Sequence, residues 1–410
     1  MTETLTGTGT DTAIPDLRLT SGDFWGGDPH AGLRWLREHD PVYWDEAGQV
    51  WGITKYRDVR EISKHPELFS NAQGIRPETG PTPMLLDMDD PEHWKRRKLL
   101  NKGFTPRRVE DMAGRIRTIC DALVDRVCER GECDFVRDIA VWLPLIVIGD
   151  LIGANPRQYD TLLRWSDDLV RGLGQFDKPE YYERTVQAFA EYSEHFAGVL
   201  ADRRARPGND LISVLVHAEV DGDRLDEEAL LFNSVMLLVA GDETTRHVIS
   251  GGLYQMLVNY ENWERVRADR ELLPSAIEEM LRWVSPVRNM ARTVTRDIAF
   301  GGKELRAGQK LLLLYPSANR DEEVFPDPFR FDITRSPNDH LAFGLGSHFC
   351  LGASLARLEL RTIFTVLLDR LGDLRLATPA EPPLRPANFV SGYETLKVEF
   401  TPTAPVGAQL

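Results

Sequence analysis

The sequence predicts an α+β fold that is mainly α-helical, with one long central helix and small marginal β-sheets. Apolar residues recur with helical periodicity through most of residues 91–284. The most apolar long segment, residues 230–257, provides the central helix. The β-like segments are short and lie mainly toward the two ends of the chain, so we expect small sheets at the margin of a helical body.

Local signals mark the elements of the first quarter of the chain. Asp28 and Pro29 are an N-cap residue and a first-turn proline, and they predict a helix through Arg37. The next elements are predicted in order as strands at residues 42–44 and 50–53, a helix at 56–65 and a loop rich in Gly and Pro at 71–91. A loop of that length in a compact domain is usually functional or mobile.

Proline and glycine divide the central helical region into separate helices. The dividing residues are Pro106, Gly131, Pro144, Pro156 and Pro207. The rest of the chain is predicted as β-like segments at residues 291–295 and 310–314, an irregular segment at 317–340 and a last long helix at 351–371.

Composition and charge exclude several classes of protein. The chain has 410 residues, 42% hydrophobic and 28% charged, as is ordinary for a soluble globular protein. Its formal net charge of −15 argues against nucleic acid as a partner. No stretch approaches the roughly 18 apolar residues that cross a bilayer, and no secretory signal is present. We therefore expect no membrane span and a cytoplasmic location.

We expect residues 1–16 to be a disordered lead and residues 17–410 to form a single domain. The lead is rich in Thr and poor in apolar residues, and no linker, repeat or low-complexity tract divides the remainder of the chain. Four cysteines do not make a disulfide scaffold. Cys120, Cys128 and Cys133 have no paired histidines, so they are expected to be buried thiols rather than zinc ligands.

Residues 343–352 contain three glycines around Cys350. Because a helix follows at once, this tight turn presents Cys350 at a helix N-terminus, where N–H groups and the helix dipole favour a thiolate. A thiolate is the ligand that a haem iron needs if electron density is to be pushed toward O–O cleavage. The loop therefore predicts Cys350 as an iron ligand rather than as a structural cysteine.

The same ten residues resemble the haem-binding loop of the cytochrome P-450 superfamily. The matching positions are Phe343, Gly344, Gly346, His348 two residues before Cys350, and Gly352 two residues after it. With further matches in the same order, the resemblance covers residues 28–401. It implies a haem-thiolate monooxygenase that binds haem b, with Phe343, Gly344, Cys350 and Gly352 among the haem-binding residues.

Glu243 and Thr244, followed by Thr245, form an acid–alcohol group in the middle of the long apolar helix. Polar groups there are costly unless they have a function, and Thr hydroxyls can bond to a preceding carbonyl and loosen the helix. By resemblance, Thr244 holds water beside dioxygen, Glu243 relays protons from solvent, and Thr245 could share the role. The other interpretation is a polar turn where the helix reaches the surface.

Four basic residues are expected to bind the two haem propionates. His93 and Arg97 stand at i and i+4 on one helix face, so both can bind one anion. By resemblance, Arg292 and His348 complete the set. Taken singly, each of the four would more commonly be a solvated surface cation.

Glu279 and Arg282 stand at i and i+3 on another helix. Such a pair is common on any helix. The resemblance implies that it joins Arg330, in the later irregular segment, as a buried structural triad. These residues are assigned to folding and haem incorporation rather than to chemistry.

The implied reaction inserts one atom of O2 into a C–H bond while the other leaves as water, so two electrons must come from another protein. The sequence has no dinucleotide-binding motif and no iron–sulfur pattern, which implies a separate ferredoxin with its reductase. Residues 93–108 contain no acid and form the expected docking face for an acidic partner. Its cations are Lys95, Arg96, Arg97, Lys98, Lys102, Arg107 and Arg108.

The predicted substrate pocket is apolar, which suits a lipophilic ligand. Its expected lining residues are Ile75, Met84, Leu85, Leu86, Met236, Val239, Ala240, Val287, Met290, Phe389 and Val390. Residues 128–138, 241–247 and 385–392 resemble actinobacterial enzymes that oxidise the terminal carbon of the cholesterol or cholestenone side chain. This implies sterol side-chain hydroxylation, while branched fatty acids, terpenoids and secondary metabolites stay open as substrates.

Two functions from other classes are alternatives to this one. A haem carrier or gas sensor without turnover would not need the Glu243–Thr244 pair. A helical interaction protein with a coincidental cysteine loop would bind no haem at all.

Overall fold

The structure, a computed structural model, describes residues 17–175, 178–219, 222 and 224–410. The predicted disordered lead, residues 1–16, lies outside the described residues. Helices dominate and the sheets are small, which confirms the predicted fold class. Among the helices that the structure describes, none has the length and apolar content needed to cross a bilayer.

The α-helices of the described chain include those predicted near residues 28–37, 56–65, 230–257 and 351–371. They are α1 (Gly22–Gly26), α2 (His30–His39), α3 (Tyr56–Lys64), α4 (Glu92–Asn101), α5 (Pro106–Asp111), α6 (Ala113–Asp125), α7 (Trp142–Leu151), α8 (Tyr159–Gly174), α9 (Pro179–Ala205), α10 (Leu211–His217), α11 (Glu227–Val258), α12 (Tyr260–Ala268), α13 (Leu273–Val284), α14 (Tyr315–Ala318) and α15 (Ala353–Arg370). Short 3-10 helices occur at Leu85–Asp87, Pro156–Gln158, Arg270–Leu272 and Gly346–His348, and a π-helix at Val136–Ala140.

The β-strands are short and form three sheets. They are β1 (Val42–Asp45), β2 (Val50–Ile53), β3 (Phe69–Ser70), β4 (Glu132–Asp134), β5 (Asn289–Val294), β6 (Ile298–Phe300), β7 (Lys303–Leu305), β8 (Lys310–Leu314), β9 (Arg375–Leu376) and β10 (Lys397–Glu399). The largest sheet has the order β1-β2-β8-β5-β3, with β2 parallel to β8 and the other pairs antiparallel. Strands β4, β10 and β9 form the second sheet, and β6 pairs with β7.

Helix α11 runs through the main core and is buried along most of its length. The Asp226 side chain caps its first turn by accepting a hydrogen bond from the Ala229 N–H at 2.7 Å. Helix α13 packs close to it because Gly251 and Gly252 have no side chain. A Cβ atom at Gly252 would stand 2.8 Å from Met280, so the close approach of these two helices requires glycine.

The cysteine loop takes its shape from two glycines in the left-handed region, Gly344 at φ +68° and Gly346 at φ +77°. A Cβ atom at Gly346 would stand 2.5 Å from the carbonyl oxygen of Ser63, so α3 holds the loop from outside. The Cys350 N–H donates to the Phe343 carbonyl at 2.9 Å and closes the turn before α15 begins.

Candidate functional site

A cavity of about 220 Å³ lies between α11, α15 and the cysteine loop. Five of the predicted haem-loop residues line it, namely Phe343, Gly344, His348, Cys350 and Gly352. From α11 it receives Ala240, Thr244 and Thr245. The structure therefore brings the cysteine and the acid–alcohol segment, about a hundred residues apart in sequence, to one cavity.

Most of the predicted apolar wall lines this cavity. The predicted residues that do so are Ile75, Leu85, Leu86, Met236, Ala240, Val287 and Met290. Further lining residues that the sequence did not single out include Phe104, Ile148, Leu237, Val248 and Pro286. Helical periodicity alone could have suggested Leu237 and Val248, since they share a helix face with Thr244.

Four predicted pocket residues do not line the cavity, and these assignments are corrected. They are Met84, Val239, Phe389 and Val390. The Phe389 ring packs under the guanidinium of Arg76, 4.6 Å from its centroid, and Val390 pairs through its backbone with Val287. Met84 packs against the main core just before a 3-10 helix, while Val239 is buried in that core on a different face of α11.

Cys350 lines the cavity, and its sulfur is the candidate ligand for a metal ion there. Burial raises the pKa of its thiol, while the Gly352 N–H, Arg97 and Arg357 act in the opposite direction. The loop alone therefore does not favour the thiolate as the sequence suggested, because burial has the largest effect. A bound metal ion would supply the missing positive charge.

Several basic residues lie close to Cys350. Arg97, Arg292 and His348 line the cavity, and the ring of His93 lies 4.1 Å from that of His348, centroid to centroid. Burial, followed by the charge of Arg292, lowers the pKa of His348 to about 2, so its imidazole is neutral. Arg97 also donates to the Phe349 carbonyl at 2.6 Å, which ties α4 to the cysteine loop.

These basic residues fit a haem with two propionates. Both ring nitrogens of His348 and Nε2 of His93 are buried without a hydrogen-bond partner in the described chain. A neutral imidazole has one N–H donor, a buried donor normally has an acceptor, and a carboxylate group would supply it. Gly352 leaves more than 4 Å of free space where a side chain would stand, so a flat ring can approach the sulfur.

The alcohol and the acid of α11 have different surroundings. The Thr244 hydroxyl donates to the Ala240 carbonyl at 2.8 Å, which is the predicted bond to the preceding turn. Glu243 does not line the cavity; it is fully buried and paired with Arg246 and Arg385. Sequence position alone could not show this, because Arg385 lies far along the chain.

The structural triad forms with a different third member. Arg282 binds Glu279 through two bonds of 2.7 Å, and both side chains are fully buried. The third arginine is Arg335, whose Nε lies 3.1 Å from Glu279 Oε2. The assignment of Arg330 is therefore wrong: Arg330 is exposed, and only its backbone carbonyl takes part, as an acceptor for Arg335 at 3.0 Å.

Glu359 on α15 is an acidic residue of the cavity wall that the sequence did not single out. It is 3% exposed, and its Oε2 has no hydrogen-bond partner in the described chain. A signal was available, since Glu359 lies in a helix whose other inward positions are apolar, such as Leu355 and Ile363.

Comparison with known proteins agrees with this arrangement. The chain matches the Cytochrome P450 family over residues 167–372. It is 52% identical over 393 residues to the Steroid C26-monooxygenase of Mycolicibacterium smegmatis, covering 96% of this chain and 98% of that protein. The Steroid C26-monooxygenase of Mycobacterium tuberculosis is also 52% identical, over 398 residues, with 97% and 100% covered. The crystal structure of CYP109E1 from Bacillus megaterium in complex with testosterone is similar, with a TM-score of 0.85, 34% identity, and coverage of 92% of this chain and 99% of that chain.

Proposed function

Because this chain belongs to the cytochrome P450 family and is a haem-dependent monooxygenase, we propose that it hydroxylates the terminal carbon of a steroid side chain. The identity of 52% over nearly the whole chain to proteins named Steroid C26-monooxygenase supports this substrate. The observation that carries the proposal is one cavity that joins Cys350 to a wall of aliphatic residues. The basic lining residues, Arg97, Arg292 and His348, are taken up by the haem, so a lipophilic molecule meets an apolar surface.

Haem b is the cofactor that we propose, because the sequence has no C-x-x-C-H motif for covalent attachment of a haem. When bound, the haem supplies the reductive activation of O2. The sulfur of Cys350 would hold its iron. Arg97, Arg292, His348 and His93 would bind its propionates, and the free space at Gly352 admits the ring.

In this proposal, Thr244 and Thr245 of α11 hold water in the cavity. The Thr244 hydroxyl is already bonded to the Ala240 carbonyl, so its oxygen presents acceptor lone pairs to the cavity. Thr245 lines the same cavity one residue further on. Together they give water and dioxygen polar contacts in an otherwise apolar wall.

The enzyme needs a redox partner, and we propose a ferredoxin with its reductase. The basic segment 93–108 lies beside the cysteine loop, since Arg97 binds the Phe349 carbonyl. Phe349 is 42% exposed and Trp94 54% exposed, and Lys102 and Arg107 of the basic segment are exposed as well. An acidic ferredoxin surface complements these cations.

We propose a cytoplasmic location on the basis of cysteine chemistry. The four cysteines are free thiols, and free thiols persist in reducing compartments.

The experiment that tests the function combines two spectra of the purified enzyme. We expect the reduced, carbon monoxide-bound form to show the strongly red-shifted Soret band of thiolate ligation. Titration with cholest-4-en-3-one should then convert the iron from low to high spin, and turnover should yield the sterol hydroxylated at its terminal side-chain carbon. Cys350→Ser should abolish the thiolate band, whereas Cys133→Ser, a buried cysteine in β4, should keep it.

Two results would contradict parts of the proposal separately. A folded, haem-loaded enzyme without the thiolate band would exclude Cys350 as ligand. A normal thiolate band with no spin shift on sterol, but a shift on a branched fatty acid or a terpenoid, would move the substrate to that class.

A further inference from the structure

Five basic side chains lie close together beside α14, which packs against both α2 and α13. They are His30 and Arg37 of α2, Arg282 of α13, Arg288 just before β5 and Arg320 just after α14. The four arginines are buried, and none of them is more than 5% exposed. Burial, followed by the charges of the other three arginines, holds the pKa of Arg320 well below its usual range. This buried region therefore carries a concentration of positive charge.

Two of the four arginines have an acid of their own. Arg37 binds Glu322 through two bonds of 3.0 Å, and Arg282 binds Glu279 through two bonds of 2.7 Å. Each of these guanidinium groups is thus compensated by a carboxylate, as a buried charge requires.

Arg288 and Arg320 have only neutral partners. Arg288 Nη1 donates to the carbonyls of Val284 and Ser285 at 3.3 and 3.4 Å. Arg320 Nη2 donates to the Trp283 carbonyl at 2.8 Å. Among the described residues, no carboxylate forms an ion pair with either arginine. Two buried positive charges are therefore left without a counter-ion from the chain.

Two acids close to Arg320 are already hydrogen-bonded elsewhere. Asp321, the next residue in the chain, accepts hydrogen bonds from the Tyr56 N–H at 2.8 Å and from the Glu323 N–H at 3.1 Å. The charge of Glu279 reaches Arg320, but Glu279 already accepts hydrogen bonds from two other arginines. Neither carboxylate binds the Arg320 guanidinium.

Four nitrogens of this cluster are buried without a hydrogen-bond partner in the described chain. They are Arg320 Nε and Nη1, Arg288 Nε and His30 Nδ1. The guanidinium groups keep their protons at any ordinary pH, and a neutral His30 can carry its one N–H on Nδ1. Buried donors normally have acceptors. A water molecule would satisfy the donors but would leave both charges uncompensated, so the acceptor that fits is an anion.

We propose that a small inorganic anion, chloride, binds between Arg288, Arg320 and His30 as their counter-ion. The ion must be small because the four nitrogens are shut off from solvent. The Trp283 ring covers the Arg320 guanidinium, 4.6 Å from the ring centroid. The anion joins α2 to the chain segments before β5 and after α14. None of its three ligands lines the Cys350 cavity, so the site is independent of the haem and of the substrate.

Anomalous diffraction from holoenzyme crystals grown in bromide instead of chloride tests the location of the ion. We expect one peak between the side chains of Arg288 and Arg320. Arg320→Met keeps most of the side-chain length but removes the charge, and it should lose the peak. Arg34→Met is the matched control, because Arg34 is an arginine of α2 whose side chain is 55% exposed, and it should keep the peak.

Urea unfolding of the holoenzyme, followed by circular dichroism, tests whether the ion stabilises the fold. The enzyme is first dialysed free of chloride, and chloride then replaces gluconate at constant ionic strength, so that screening stays the same. Above the dissociation constant, the unfolding equilibrium constant of wild-type enzyme should fall about tenfold for each tenfold rise in chloride. In Arg288→Met and Arg320→Met it should change less than about twofold, whereas Arg34→Met should respond as wild type does.

The outcomes decide this inference separately from the proposed substrate. The inference is wrong if wild-type crystals show no bromide at this site, or if Arg288→Met responds to chloride as strongly as wild-type enzyme. Should Arg320→Met fail to fold, Arg288→Met provides the same comparison. Wild-type enzyme that binds bromide here but does not oxidise the sterol contradicts the substrate proposal alone.

Discussion

Glu279 is a fully buried carboxylate with an unusually complete set of donors. Besides Arg282 and Arg335, it accepts hydrogen bonds from the Asp332 N–H at 2.9 Å and from Asn338 at 3.2 Å. A buried charge is tolerated only when it is paired and hydrogen-bonded in this way. The carboxylate thereby fixes α13 to the irregular segment that leads to the cysteine loop.

Arg335→Ala should be strongly destabilising because it leaves part of this buried charge unpaired. We expect a loss of about 3 kcal/mol in the free energy of unfolding, together with reduced haem content. Arg330→Ala is the matched control, and as an exposed side chain it should cost less than about 0.5 kcal/mol. Urea unfolding followed by circular dichroism measures both, and equal losses for the two variants would refute the assignment.

For single residues, the sequence predicted the residue types of the site better than it predicted which side chains contact one another. The loop around Cys350 was recognisable because its glycines and cysteine are adjacent in the chain. Arg330 and Arg335, by contrast, lie five residues apart in an irregular segment, and only its three-dimensional course decides which one meets Glu279. The sequence could not show the ion pair of Glu243 with Arg385 for the same reason.

Among the elements, the 71–91 loop contains a buried arginine that helps to hold it to the rest of the chain, beside backbone contacts such as that of the Leu85 N–H with Asn233. Arg76 is 2% exposed and donates to Asn289 of β5 and to Asn388, both at 2.7 Å. Asn388 in turn donates to the Thr20 carbonyl and to Glu78. The contact of Arg76 with Asn388 thus joins the loop to a distant part of the chain.

Asn388→Ala should loosen the loop without unfolding the enzyme. It removes an acceptor from buried Arg76, at a cost of about 1–3 kcal/mol, and we expect sterol binding to weaken by roughly tenfold. Spin-state titration measures the binding, and hydrogen exchange should quicken within residues 71–91. Asn155→Ala, in front of the 3-10 helix Pro156–Gln158, should change neither. Unaltered exchange in Asn388→Ala would argue against the contact with Arg76.

The elements whose bounds were predicted from the sequence, such as β2, β8, α11 and α15, lie within a few residues of those bounds, but the sequence did not predict how the strands pair. β2 and β8 were expected from local patterns, yet their parallel pairing joins residues 50–53 to residues 310–313. Such non-local pairing depends on the whole topology and leaves no local signature. The length of α11, in contrast, followed directly from its apolar composition.

The whole molecule combines a net charge of −15 with a basic segment beside the cysteine loop. Like charges elsewhere on the surface repel an acidic partner, so this segment is where such a protein can approach. Residues 17–410 serve, in our proposal, as one domain, since the largest hydrophobic core draws on residues from Ile75 to Phe400.

Electron transfer from a ferredoxin should weaken as salt rises, because screening acts on exposed charges. Arg107→Glu should lower the rate of reduction by the ferredoxin about tenfold at low salt and leave chemical reduction by dithionite unchanged. Arg157→Glu carries the same charge change at an exposed position near α8 and should have little effect. Stopped-flow reduction at several salt concentrations measures this, and identical rates for both variants would remove the segment from the docking surface.

Residues 384–393 contact both α11 and the 71–91 loop. Arg385 pairs with Glu243 of α11, while Asn388 holds Arg76 of the 71–91 loop. Chimaeras built from relatives to alter substrate preference would therefore need to exchange residues 71–91 together with residues 384–393. If residues 71–91 alone were exchanged, the new loop would face Asn388 of this chain without the partner from its own protein. If residues 384–393 alone were exchanged, the ion pair of Arg385 with Glu243 of α11 would be altered as well. In this protein, residues 384–393 connect the 71–91 loop to α11.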